Sequence, residues 1–246
     1  MTMGSILSVR ALNIHFGSRS VIQNLNFEVD AGDNLAIIGP NGAGKTVLLK
    51  ALLGLLPYEG EIRWSPGARL GYVPQKVAAD RQMPIRVHDL LAAKAHVLKL
   101  HSRSIEAVAA TVDLTPEVLD ASIGTISGGQ LQKALIAFAL LGEPNVLLFD
   151  EPTASLDELA EERIYDVVER LQREQHLTVL LVSHDLSIVY RAANKVLCLS
   201  KDMVCFGPPR EVLTPAALEA MYAAPPKYYL HRHGIDTEPS SQGGRA

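Results

Sequence analysis

At 246 residues, 48% hydrophobic and 20% charged, the chain can bury one large core, or one core with a small attached subdomain, and its composition excludes a disordered polymer. A formal net charge of −4 gives no overall attraction to nucleic acid, so no nucleic-acid partner is expected. The longest uninterrupted apolar run, Ala134 to Leu141, is eight residues, against the roughly 20 that a membrane-spanning helix needs, so the chain is not expected to cross a bilayer by itself.

The opening MTMGSILSVR lacks the apolar core of a secretory signal, and the sequence holds two cysteines, Cys198 and Cys205. Both observations favour a reducing cytoplasm. Leu12, Ile14 and Phe16 then alternate with Asn13 and His15, and Leu25, Phe27 and Val29 alternate with Asn26 and Glu28. This is the period of half-buried strands, and it predicts an N-terminal antiparallel β-layer.

From Asn34 the pattern changes to short apolar runs, NLAIIG, NVLLFD, TVLLVS and KVLCLS, most of them followed by a helical pattern. Strands buried on both faces read this way, so the fold class is α/β with a parallel, helix-covered sheet. The helix after NVLLFD is explicit, with Ile164, Val167, Val168 and Leu171 at i, i+3, i+4 and i+7.

Between the first two of these runs lies GPNGAGKT, comprising Gly39, Pro40, Asn41, Gly42, Ala43, Gly44, Lys45 and Thr46. Standing between a strand and a helix, it is the phosphate-binding loop of nucleotide triphosphatases. Glycines let backbone N–H groups converge on phosphate oxygens, and the helix N-terminus adds partial positive charge. Lys45 is expected to reach the β- and γ-phosphates, and the Thr46 hydroxyl to ligate Mg²⁺. A nucleotide triphosphate with Mg²⁺ is therefore the expected ligand.

Strand-like runs disappear between Gln75 and Leu141. LLAAKAHVLKL is rich in helix formers, and Thr115 and Pro116 look like a helix start, so a helical subdomain is expected over about residues 76–141. Within it, ISGGQLQK is a second glycine-rich turn that opens a further helix.

NVLLFDEP ends its strand on two carboxylates. Alternation points Asp150 and Glu151 in different directions, which suits Asp150 to the Mg²⁺ shell and Glu151 to orienting and polarising a water molecule. TVLLVSHD presents His184 on the same rim, where a neutral imidazole can link a γ-phosphate to that carboxylate. A single domain over 1–224 is expected, followed at 225–246 by a flexible, period-free tail that carries His231 and His233. Two imidazoles fall short of the usual four-ligand zinc site, so a solvated tail is expected. Cys198 and Cys205 could face each other across a turn at Lys201 and Asp202, but two buried, apolar-like thiols are the favoured reading.

Taken in order, GPNGAGKT, VPQK, ISGGQLQK, VLLFDEP, SLD and SHD resemble the ATPase subunit of an ABC transporter from about Ile6 to Gly207. The resemblance implies a P-loop NTPase fold with a RecA-like parallel-sheet core, an N-terminal antiparallel β-layer and an inserted helical subdomain. It implies that the turn formed by Ser127, Gly128, Gly129 and Gln130 closes over the nucleotide of a second copy, making a homodimer around an ATP sandwich. Phe16 matches the aromatic that stacks on adenine, although Tyr is more frequent there. Gln75 matches the residue that senses Mg²⁺ and water, and Asp157 the loop that touches the partner's site. Ile126 stands where leucine is usual and Lys133 where arginine is frequent, and neither change removes a phosphate donor.

The resemblance also implies integral membrane permease subunits, with Met83 to Leu91 expected at their contact, and a peripheral location on the cytoplasmic face of the cell's inner membrane. GYVPQK, EGEIRWSPGARL, SHDLSIV and VLCLSKDMVCFGPP further resemble ATPase subunits of zinc and manganese uptake systems, which work with an extracytoplasmic metal-binding receptor. Importers of iron or iron chelates, exporter ATPases and soluble ABC-type ATPases remain as alternatives.

Overall fold

The computed structural model describes residues 4–75, 84–101, 103–152, 156–200 and 204–222. Strands β1 (Ser5–Phe16) and β2 (Arg19–Asp30) form an antiparallel hairpin. After β3 (Asn34–Ile38) and helix α1 (Lys45–Leu52), strand β4 (Glu59–Trp64) joins the other side of β1, giving a sheet of order β2-β1-β4. Alternation sets its faces: Leu25, Phe27 and Val29 are buried while Asn26 and Glu28 are exposed. Phe16 departs from this pattern and is 49% exposed.

Strand β5 (Leu70–Val73) leads to the helices α2 (Val87–Val97), α3 (Arg103–Thr111), α4 (Pro116–Asp120) and α5 (Gly128–Leu140). The chain continues through β6 (Val146–Asp150), α6 (Glu158–Gln175), β7 (Thr178–Val182), α7 (Leu186–Ala192), β8 (Lys195–Leu199), β9 (Val204–Gly207), α8 (Pro209–Val212) and α9 (Pro215–Tyr222). The larger sheet has the order β5-β6-β7-β3-β8-β9, with every neighbouring pair parallel except β8 and β9.

The apolar runs of β3, β6 and β7 are buried at every position because both faces of this sheet are covered. Val146 and Leu148 pack with the antiparallel layer and α1, while Leu147 and Phe149 pack with the helices of the insertion and α6. Val196 and Cys198 instead join α7 and α9. On α6, Ile164, Val167, Val168 and Leu171 are all buried, roughly 1.5–3 kcal/mol of hydrophobic stabilisation for each relative to exposure.

Helices α2 and α5 are joined by a half-buried cation. Lys94 donates to the Phe138 carbonyl at 2.5 Å, and its ammonium lies 4.4 Å from the Phe138 ring centroid. Phe138 is in the last turn of α5, where the carbonyl lacks an intrahelical donor, so Lys94 acts as a side-chain cap. Burial holds its pKa below the usual lysine value. Lys94→Met should cost about 1 kcal/mol, seen as a fall in Tm of about 2–4 °C; an unchanged Tm would show that the contact adds no stability.

One expectation is narrowed and another needs correction. Val87 and Leu91 are fully buried in the packing of α2, so they cannot meet a permease surface. From that stretch Ile85, Arg86, His88 and Asp89 retain exposed or partly exposed surface, and Met83 lies outside the described residues. Second, Cys198 and Cys205 are not separate thiols but a disulfide, with their Cα atoms 4.8 Å apart. The antiparallel register of β8 and β9 sets them directly opposite one another. Lys201, Asp202, His231 and His233 lie outside the described residues.

Candidate functional site

The carboxyl ends of β3, β5, β6 and β7 open on one rim of the sheet, where an α/β sheet offers its ligand crevice. The loop leaving β3 forces its own glycines. At Gly39 a Cβ would stand 1.9 Å from the Leu199 carbonyl oxygen, and at Gly44, with φ of 99°, it would meet Val21 at 2.8 Å. Gly39→Ala should therefore displace the loop and abolish nucleotide binding; retained binding in a fluorescence titration would show that β8 can yield.

Helix α1 has Gly44 at its N-cap, with no side-chain cap and no acidic residue in its first turn, which leaves its amino end suited to an anion. Lys45 is only 5% exposed and donates to the Gly39 carbonyl at 2.9 Å and the Pro40 carbonyl at 3.3 Å. Its ammonium also lies 3.5 Å from Glu151 Oε1.

Asp150 is 2% exposed, and its two oxygens accept from the Thr46 hydroxyl at 2.9 Å and the Tyr72 hydroxyl at 3.3 Å. Burial raises the Asp150 pKa, and these two hydrogen bonds act against that rise. Burial and the Asp150 charge push the Tyr72 hydroxyl up to about 12, keeping it protonated as a donor. Glu151 leaves the strand with φ of 46°, and the Gln75 carboxamide donates to its Oε2 at 2.7 Å. Adjacent carboxylates thus take separate positions, one toward Thr46 and one toward Lys45 and Gln75.

Phe16, Arg19, Val21, Asn41, Lys45, Thr46, Gln75 and Glu151 are among the residues lining one cavity of about 500 Å³. The volume suits a nucleotide, and the lining includes both an exposed aromatic, Phe16, and a carboxylate, Glu151. The Thr46 hydroxyl, Asp150 carboxylate and Gln75 carboxamide oxygen are hard donors of the kind Mg²⁺ takes. His184 is exposed after β7 and is not among the residues lining this cavity.

Ser127, Gly128, Gly129 and Gln130 lie elsewhere. With Asp157, Lys133 and Arg163 they line a second cavity of about 480 Å³ that shares no lining residue with the first. The Ser127 hydroxyl accepts from the Gln130 N–H at 3.2 Å, and the Ser127 N–H donates to Gln130 Oε1 at 2.9 Å. This capping box fixes the start of α5 while leaving the hydroxyl proton free to donate. Asp157 likewise caps α6, accepting from the Ala160 N–H at 2.8 Å.

Tyr72 and Arg19 are among the contacting or lining residues that escaped the sequence reading. Tyr72 stands in GYVPQK, and the parallel register that pairs it with Leu148 carries its hydroxyl toward Asp150. Arg19 faces Phe16 across the β1–β2 hairpin, a pairing that the turn at residues 17 and 18 makes readable.

Comparison with known proteins gives a consistent likeness. The family model described as ABC transporter matches residues 22–154. A relative from Jannaschia sp. (strain CCS1), named zinc import ATP-binding protein ZnuC, is 36% identical over 89% of this chain and 88% of its own length. One of the same name from Chromohalobacter salexigens is 36% identical over 93% of this chain and 96% of its own. Among solved structures, a metal-chelate type ABC transporter in an inward-facing conformation matches with a TM-score of 0.83 and 30% identity, over 91% of this chain and 90% of that one.

Proposed function

The chain belongs to the ABC transporter family as an ATP-hydrolysing subunit that uses Mg²⁺, and on that premise we propose that it drives the import of zinc. The printed names of its relatives carry the choice of ion, since those at 36% identity are zinc import proteins. No helix among the described residues is long and apolar enough to cross a membrane. Such a subunit works with membrane permease partners and by dimerising. We assign it to the cytoplasmic face of the inner membrane, beside a permease and with an extracytoplasmic zinc receptor in the same system.

The site residues then take the following roles. Phe16 stacks on adenine, and the first-turn N–H groups of α1 with Lys45 hold the phosphates. Thr46, Asp150 and Gln75 would hold Mg²⁺, which would neutralise charge on the phosphate oxygens. Glu151, steadied by Gln75 and Lys45, orients water and polarises it for attack on the γ-phosphorus. His184, on the rim after β7 and outside the lining of that cavity, would reach the γ-phosphate only in the assembled, nucleotide-bound site.

The single observation that carries the dimer is the separation of the two cavities within one chain. A second copy placed head to tail would bring Ser127, Gly128 and Gly129 over the first copy's phosphate loop, and a C₂ arrangement completes both sites at once. Asp157, beside that turn, would reach the same junction.

Uptake of radioactive zinc, manganese and iron by cells lacking this chain tests the ion. Loss of zinc uptake, restored by the wild-type chain but not by Glu151→Gln, is expected. Unchanged zinc uptake with loss of manganese or iron uptake would refute zinc as the cargo.

A further inference from the structure

We propose that Cys198 and Cys205 are a reversible oxidation site whose state is transmitted to the phosphate loop. The sequence contains only these two cysteines, so an intramolecular bond has a single possible pairing. The register of β8 and β9 sets them opposite each other, and the structure joins them as a disulfide. They differ in access. Cys198 is fully buried against Leu186, Val189 and Met221, while Cys205 is partly exposed on the edge strand.

That difference orders the chemistry with a low-molecular-weight disulfide of the glutathione class as oxidant. The Cys205 thiolate attacks one sulfur of the reagent, forming a mixed disulfide and releasing one thiol. The Cys198 thiolate then attacks Cys205 Sγ, forming the internal disulfide and releasing the second thiol. Two protein thiols are oxidised and one reagent disulfide is reduced to two thiols, so electrons and protons balance.

The link to the nucleotide is one residue long on each strand. Cys198 is in register with Ile38, the last residue of β3 before the phosphate loop. The next residue of β8, Leu199, places its carbonyl where a Cβ on Gly39 would come within 1.9 Å. Lys45 in turn bonds the Gly39 carbonyl. Cross-linking β8 to β9 therefore fixes the strand end on which the first glycine of the loop rests, and releasing the link loosens it.

The test uses the full chain and a fluorescent ATP analogue. Thiol titration of the denatured protein should find both cysteines after treatment with a reductant and neither after glutathione disulfide, with the product still a single chain on a non-reducing gel. ATP affinity should be about fivefold weaker in the reduced form, the low end of coupling between linked sites. Cys205→Ser should show the weaker affinity under both treatments. Thiols that remain titratable after oxidation, or cross-linked chain pairs, would overturn the site. A disulfide that forms without changing ATP affinity would overturn the coupling.

Discussion

Glu151→Gln is expected to lower ATP turnover by about 10²–10⁴-fold, the usual contribution of a positioned general base. The substitution preserves size and leaves an oxygen to accept from Gln75, which now donates to Glu151 Oε2 at 2.7 Å. What disappears is the negative charge and its basicity. Because Lys45 lies 3.5 Å from Glu151 Oε1 and also bonds two loop carbonyls, it keeps its place when that charge is removed. Removing a carboxylate from the γ-phosphate end also relieves like-charge repulsion, so ATP affinity should hold or increase. Phosphate release and ATP titration on the same preparation check this, and turnover within tenfold of wild type would remove Glu151 from the role of base.

Lys45→Ala should have the other large effect, weakening ATP binding by about 10²-fold, or ~3 kcal/mol. Lys45 is the buried cation of the loop, and the Gly39 and Pro40 carbonyls it bonds would be left facing a phosphate without it. A charge-assisted contact in so enclosed a position has no solvent substitute of equal strength. The measurement is the ATP dissociation constant, taken with a thermal unfolding curve so that lost binding is distinguished from lost fold. Affinity within threefold of wild type, in a folded variant, would contradict the assignment.

Much of this architecture was legible because its causes are local. The strands NLAII, VLLFD and TVLLV announced burial on two faces, and Ile164, Val167, Val168 and Leu171 announced one face of α6. GPNGAGKT carried its loop because its glycines answer local demands, Gly39 and Gly44 a close approach of Leu199 and Val21 and Gly42 a positive φ of 80°. Contacts that depend on pairing register were harder to read. The disulfide needed the alignment of β8 with β9, and the Tyr72 contact with Asp150 needed that of β5 with β6. The burial of Val87 and Leu91 within the segment Met83 to Leu91 was not readable for a related reason: a single helix in isolation does not say which of its apolar faces meets its own chain.

The antiparallel layer shows the same division. Alternation identified β1 and β2, but not the register that sets Arg19 beside Phe16 in the lining of the cavity. Likewise the capping box at Ser127 follows from the spacing of Ser127 and Gln130, whereas the distance of that turn from the chain's own phosphate loop is a property of the tertiary fold.

The most direct test is the mass of Glu151→Gln with saturating ATP and Mg²⁺, measured by sedimentation beside Glu151→Gln/Gly129→Arg. A Cβ at Gly129 would have ordinary contact with Ala160 at 3.5 Å, so the backbone can accept a side chain there while the arginine obstructs the facing copy. The expected result is a dimer for the first protein and an ATP-bound monomer for the second. A monomeric first protein, or an equally stable dimer of both, would contradict a nucleotide enclosed between two chains.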